Sequence, residues 1–243
     1  MMTRNSGLIR LIRCCLVAAV LLITININSL VGYAQQMIFN TPSADVAERG
    51  RTFIELNSAF RPFETNRYAT FYPRVNVGVA KGLELSAGLY HTEGGHFGDN
   101  SILTVASKWR FYNNEDTGTS LAVSSQLFAP LRGTGEKASV LTFGGLHQVI
   151  KPTSTRLSFG VYNGTPGALA INNYIGGWAS VEQPIGSGFS AVADWLSGNQ
   201  RFGAFTPGVS FNSNRQFFRL GYSINNFDHS RNGFVIRYGI WLR

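Results

Sequence analysis

The chain has 243 residues, of which 44% are hydrophobic and only 14% charged, with 27 glycines, 13% aromatics and a formal net charge of +8. Ordinary soluble domains carry roughly 25% charged residues. Three of the eight surplus charges, Arg4, Arg10 and Arg13, lie at the extreme N-terminus, so the remainder is too mild to suggest a nucleic-acid binder, and cysteine only at Cys14 and Cys15 argues against a disulfide-stapled secreted domain.

The first element is an apolar run, Cys14 to Ile25, behind those three arginines and ahead of Gly32-Tyr33-Ala34. A basic start, a short apolar stretch and small residues before a cut predict a secretory signal peptide over 1–34, cleaved before Gln35. The dense apolar run is shorter than the roughly 20 residues a spanning helix needs. Residues 35–50 follow as a leader. Within them SADVAERG reads as a short helical turn with Ser43 as N-cap and Gly50 as its stop. Two readings stay open for this leader: a plug inside whatever follows, or a disordered segment outside it.

From Thr52 onward the period is 2. Thr52–Phe60 sets Ile54, Leu56 and Phe60 against Glu55 and Asn57. Tyr68–Val79 sets Phe71, Val75, Val77 and Val79 against Thr70, Arg74, Asn76 and Gly78. Leu83–His91 sets Leu83, Leu85 and Leu89 against Glu84, Ser86 and Tyr90. Ser101–Phe111 sets Leu103, Val105, Trp109 and Phe111 against Lys108 and Arg110. Ser120–Phe128 sets Leu121, Val123 and Leu127 against Ser124 and Gln126. Ser139–Ile150 alternates less cleanly, with Leu141, Phe143 and Val149 assigned to the apolar side and His147 falling awkwardly on it.

Arg156–Tyr162, Asn172–Gln183, Phe189–Leu196, Ala204–Phe211, Gln216–Ile224 and the terminal FVIRYGIWLR continue the pattern. They place Arg156, Glu182, Asp194, Arg219 and Arg237 on the polar side. The prediction is therefore an all-β chain: a transmembrane, antiparallel, up-and-down β-barrel of about twelve strands over 51–243, of the bacterial outer-membrane type. A soluble sandwich would also alternate. Its solvent face, however, would be rich in Lys and Glu, where this one is mostly Ser, Thr, Gly, Asn and Gln. Aromatics at strand ends (Tyr68, Tyr90, Trp109, Phe111, Phe128 and Trp195 among them) are expected to form interfacial girdles. Connections alternate long and short, roughly eight residues against five, as external loops and periplasmic turns should. The turn at 112–119 is long for its side.

Charges belong on the lumen face, because the lipid face penalises them. Matching depth pairs Glu84 with Lys108 and Arg110, Arg156 with Glu182, and Glu55 with Arg237 across the closing seam. Arg74, Arg219 and Asp194 are left over, and the two arginines are the better candidates to touch a solute. Cross-strand pairs filling the lumen and a charged ring selecting anions are both compatible with this set. On the lipid side, Leu220→Arg is expected to block assembly, and inward Ser223→Arg to be tolerated.

No metal or cofactor site is predicted. His91 and His96, near Glu93 and Asp99, have no ligand spacing. His229-Ser230 holds acyl-hydrolase residue types, but in a loop and without a triad, so no catalytic residue is assigned.

The stretches NTPSADVAERGRTFIEL (40–56), KGLELSAGL (81–89) and KWRFYNNEDTGTSLAVS (108–124), with its Glu115-Asp116 pair, carry a likeness. They resemble the outer-membrane transporter family associated with meta-pathway phenol degradation. That resemblance implies a barrel passing small, often aromatic, compounds, and it supplies no site residues. The expected function is passive passage of small aromatic or hydrophobic solutes, with a closed structural or lipid-contacting barrel as the alternative. The expected partners are outer-membrane lipids, the solute and the barrel-assembly machinery.

Overall fold

The structure is a computed structural model that describes residues 37–65, 67–94, 100–131, 137–167 and 174–242. The signal segment with Cys14 and Cys15, the cut before Gln35, His96, Asp99 and Arg243 lie outside the described residues.

Twelve strands form one closed antiparallel barrel in which each strand pairs with its sequence neighbours and the first pairs with the last. They are β1 (Thr52–Arg61), β2 (Tyr68–Ala80), β3 (Leu83–Gly94), β4 (Asn100–Asn114), β5 (Thr119–Pro130), β6 (Ser139–Ile150), β7 (Thr155–Gly164), β8 (Ile175–Gly186), β9 (Phe189–Leu196), β10 (Ala204–Asn212), β11 (Gln216–Asn225) and β12 (Gly233–Trp241). Closure comes from eight paired positions between β1 and β12, from Phe53 opposite Trp241 to Phe60 opposite Phe234. Every backbone donor row then has a partner, which is what lets strands cross a membrane. The even count brings the start of β1 and the end of β12 to one rim, the terminal end; the opposite rim is the loop end.

Alternation sorts the two faces. Ile54, Leu56, Val75, Leu85, Leu89, Leu103, Val105, Leu157, Phe159, Val161, Val209 and Leu220 are exposed on the outer wall. Glu55, Arg74, Glu84, Lys108, Glu182, Asp194, Arg219 and Arg237 are buried inside. Trp109, Phe111, Tyr112 and Trp195 are exposed aromatics on that wall, as a girdle requires.

Three local readings change. Tyr68, Tyr90 and Phe128 line an internal cavity rather than a girdle. They stand at strand ends, but on the inward parity.

In β6, Leu141, Phe143 and His147 are buried and point inward. The sequence is ambiguous there because both faces are mixed. Pairing decides it: Gly144 stands opposite outward Val123 and Val161, and directly opposed residues share a face. Outward Thr142 is satisfied by the Ser125 hydroxyl at 3.0 Å.

The long turn also shortens. β4 continues past an irregularity between Arg110 and Tyr112 to Asn114. Asn114 Oδ1 then accepts from the backbone N–H groups of Asp116 and Thr117, which closes a tight turn holding Glu115 and Asp116.

Candidate functional site

The interior is filled by two unlike halves. One is apolar: Ile102, Phe128, Leu141, Phe143, Tyr162, Trp178 and Leu196 form a buried cluster on the β4–β9 side, with Tyr90 and Phe202 packed against it. The other is a charged belt that grips residues 37–50.

Residues 37–47 lie inside the barrel, and 48–50 are exposed at its terminal end. They are not helical, contrary to the short helix expected over SADVAERG. The physical reason is competition for the backbone: its donors and acceptors are taken by strand side chains. Ala47 N–H donates to Glu84 Oε2 at 2.8 Å. Lys108 Nζ donates to the carbonyls of Ser43 (3.4 Å) and Asp45 (2.6 Å). The Asp45 carboxylate pairs with Arg156.

At its deepest point the segment makes a hairpin, with Met37 bridged to Pro42 and Ile38 N–H bonded to the Thr41 carbonyl. The N–H groups of Phe39, Asn40 and Thr41 converge on Asp194 Oδ2 at 3.0, 2.5 and 2.9 Å. Three aligned donors make an anion nest, and here the anion is a strand side chain. From the other side Arg219 Nη1 donates to the carbonyls of Met37 and Ile38, and Arg237 Nη1 to those of Ile38 and Phe39. Phe39 is fully buried. A side-chain carbon on Gly221 would come within 2.6 Å of its ring, so glycine makes the room. The segment leaves beside β2, where Gly50, at φ +80°, donates to the Gly78 carbonyl.

The predicted lumen charges are brought together, with altered pairing. Glu55 contacts Arg237, as expected across the seam. Arg74 and Arg219, expected to stand alone, do not. Arg74 binds Glu55 at 2.6 Å, since the two are direct cross-strand partners on β1 and β2. Arg219 reaches Glu182 at 3.3 Å, from β11 to β8 across the lumen, a contact no neighbour rule supplies. Arg156 lies 4.0 Å from Glu182, its register partner. Glu84 and Lys108 are also register partners, yet both engage residues of 37–50. Arg110 lines the terminal-end cavity.

The segment divides the lumen. A cavity of about 250 Å³ opens toward the terminal end, lined by Ile38, Asp45, Arg110, His147, Arg156 and Glu182. A larger one of about 340 Å³ opens toward the loop end, bordered by Met37, Phe39 and Asn40 below and by Tyr72, Tyr90, Phe128, Phe143 and Phe202 around it. Its rim carries Arg61, Glu64, Arg201 and Arg231. These rim residues, and Thr41 and Asp45 on the segment, are what sequence reasoning missed. Apart from Arg61, the last residue of β1, they lie outside the strands, where period 2 gives no direction.

The loop pair His229-Ser230 opens a short 3-10 turn, His229–Arg231, capped by Asp228. Ser230 donates through its N–H (3.0 Å) and hydroxyl (2.6 Å) to Asp228 Oδ1. These bonds hold the Asp228 carboxyl below the usual carboxylate range. His91 Nδ1 meets Ser101 Oγ at 2.9 Å, a cross-strand contact of β3 and β4.

Neither a protein-family model nor a curated protein matches the chain. Among solved structures it is similar to an outer membrane channel from Pseudomonas putida F1, with a TM-score of 0.50 and 11% identity over 82% of this chain and 98% of that one. The fold is that of an outer-membrane β-barrel. At this identity the likeness concerns fold alone, and the phenol-pathway association is not part of it.

Proposed function

We propose that the protein is a passive outer-membrane channel for small solutes, with its loop end outward and its terminal end in the periplasm. The observation that carries this reading is the loop-end cavity. It is an open, aromatic-walled vestibule above residues 37–40, and nothing in a purely structural barrel requires it. Small aromatic or hydrophobic solutes suit its walls. Outer-membrane lipids cover the exposed aliphatic wall, and the barrel-assembly machinery inserts it.

In this reading residues 37–50 act as a plug held by polar bonds. Ile38 and Phe39 add an apolar contact with Val192 and Val235. Solute flux into proteoliposomes containing the mature chain tests the proposal: uptake above protein-free vesicles is expected, and no uptake of any small solute would overturn it.

A closed barrel is the second reading. The full burial of Phe39 and the gripping of 37–41 by Asp194, Arg219 and Arg237 favour it. In that case removing the plug would create flux that the native protein lacks.

A further inference from the structure

Among the described residues the loop-end vestibule has an uneven charge. Arg61, Arg201 and Arg231 line it with a single described acid, Glu64. Arg231 is spoken for, lying 3.3 Å from Asp228 and 3.7 Å from Glu64. Arg201 meets no carboxylate among the described residues. Its guanidinium instead lies over the rings of Phe128 and Phe202, 5.5 and 4.7 Å from their centroids. Nη1 of Arg61 is buried and, among the described residues, has no acceptor. A guanidinium donor withdrawn from water without a partner is unfavourable unless an anion meets it.

Below this rim the walls are ring faces. Tyr72 and Tyr90 stand 5.6 Å apart, and Phe128 and Phe202 6.2 Å. Phe202 is placed there by its loop. Gln200 is fully buried, donates to Tyr162 Oη at 3.2 Å and accepts from Phe202 N–H at 2.7 Å. The Tyr72 hydroxyl is already engaged by Thr104 and Gln126, so that wall offers its ring rather than a polar atom. A cavity of about 150 Å³ suffices for benzene, and this one is about 340 Å³. It has room for one substituted ring and some water.

We propose that the loop-end vestibule is a binding site for small aromatic carboxylates, the ring lying among Tyr72, Tyr90, Phe128, Phe143 and Phe202 and the carboxylate drawn to Arg61 and Arg201. The assignment rests on the channel reading above and gives it a solute class: singly charged aromatic acids in preference to neutral aromatics or aliphatic acids.

Calorimetry on the mature full chain in detergent, titrated with benzoate, benzyl alcohol and cyclohexanecarboxylate, tests it. Benzoate is expected to bind most tightly. Arg61→Gln and Arg201→Gln are each expected to weaken it about tenfold, the worth of one charge-assisted hydrogen bond. A loss in either variant supports the site. If Arg61→Gln does not assemble, Arg201→Gln, on an exposed loop, decides alone. No benzoate binding, benzoate binding unchanged in every variant that assembles, or an affinity for benzyl alcohol or cyclohexanecarboxylate equal to that for benzoate would overturn it. The measurement needs no flux. A barrel that binds benzoate but passes nothing keeps the site and refutes the channel, and one that passes solutes but ignores benzoate does the reverse.

Discussion

Asp194 is the residue on which the interior turns. A carboxylate buried without a cation is costly, and here backbone donors from three successive residues replace one, with the Thr41 hydroxyl adding a fourth contact at 3.2 Å. Asp194→Ala would leave those donors unsatisfied and weaken docking of the segment by about 2–3 kcal/mol. The expected outcome is faster proteolysis within 37–50 while the barrel itself resists; equal protection in the variant would contradict it. Gly221→Ala should act alike, because the new methyl occupies the space of the Phe39 ring. In combination with Phe39→Ala it should add almost nothing to the effect of Phe39→Ala alone, since the two changes share one contact. Protection from protease in the three variants measures that coupling. Little of this was legible in the sequence. Asp194 showed its inward direction and a plug was one of two readings of the leader, but the hairpin at 37–42 has no periodic signature, and the helical turn was expected just after it, over SADVAERG.

At the scale of the strand, legibility was high wherever one face was cleanly apolar. Bounds for β6 and β9 match the alternating stretches, and the others differ by a few residues at their ends. β6 shows the limit: its bounds were readable and its facing was not, because Leu141 and Phe143 are apolar residues that serve an apolar lumen. Only pairing with β5 and β7 orients them. The same register yields a test. Leu220 is exposed at mid-strand on the outer wall, so Leu220→Arg should cost about 2–4 kcal/mol in the bilayer and reduce the folded, heat-modifiable band on a gel. Ser223 faces inward as expected but is only 1% exposed. An arginine would have no room there, so the tolerated control moves to Thr92, which lines the loop-end cavity. Thr92→Arg should assemble normally. Equal assembly of Leu220→Arg and Thr92→Arg would contradict the register.

For the whole molecule, twelve strands enclose a lumen between the side-chain-filled eight-stranded barrels and the open sixteen-stranded porins. That intermediate width explains why a single extended segment can occupy it and still leave a cavity on either side. It also explains why cross-lumen pairs such as Arg219 with Glu182 form, which neighbour-by-neighbour reading of a sequence cannot anticipate. The most direct test of a plugged channel is single-channel conductance in a planar bilayer, the mature chain measured beside its Asp194→Ala variant. Small steps from the native protein and larger or more frequent ones from the variant are expected. No steps from either protein would contradict the account.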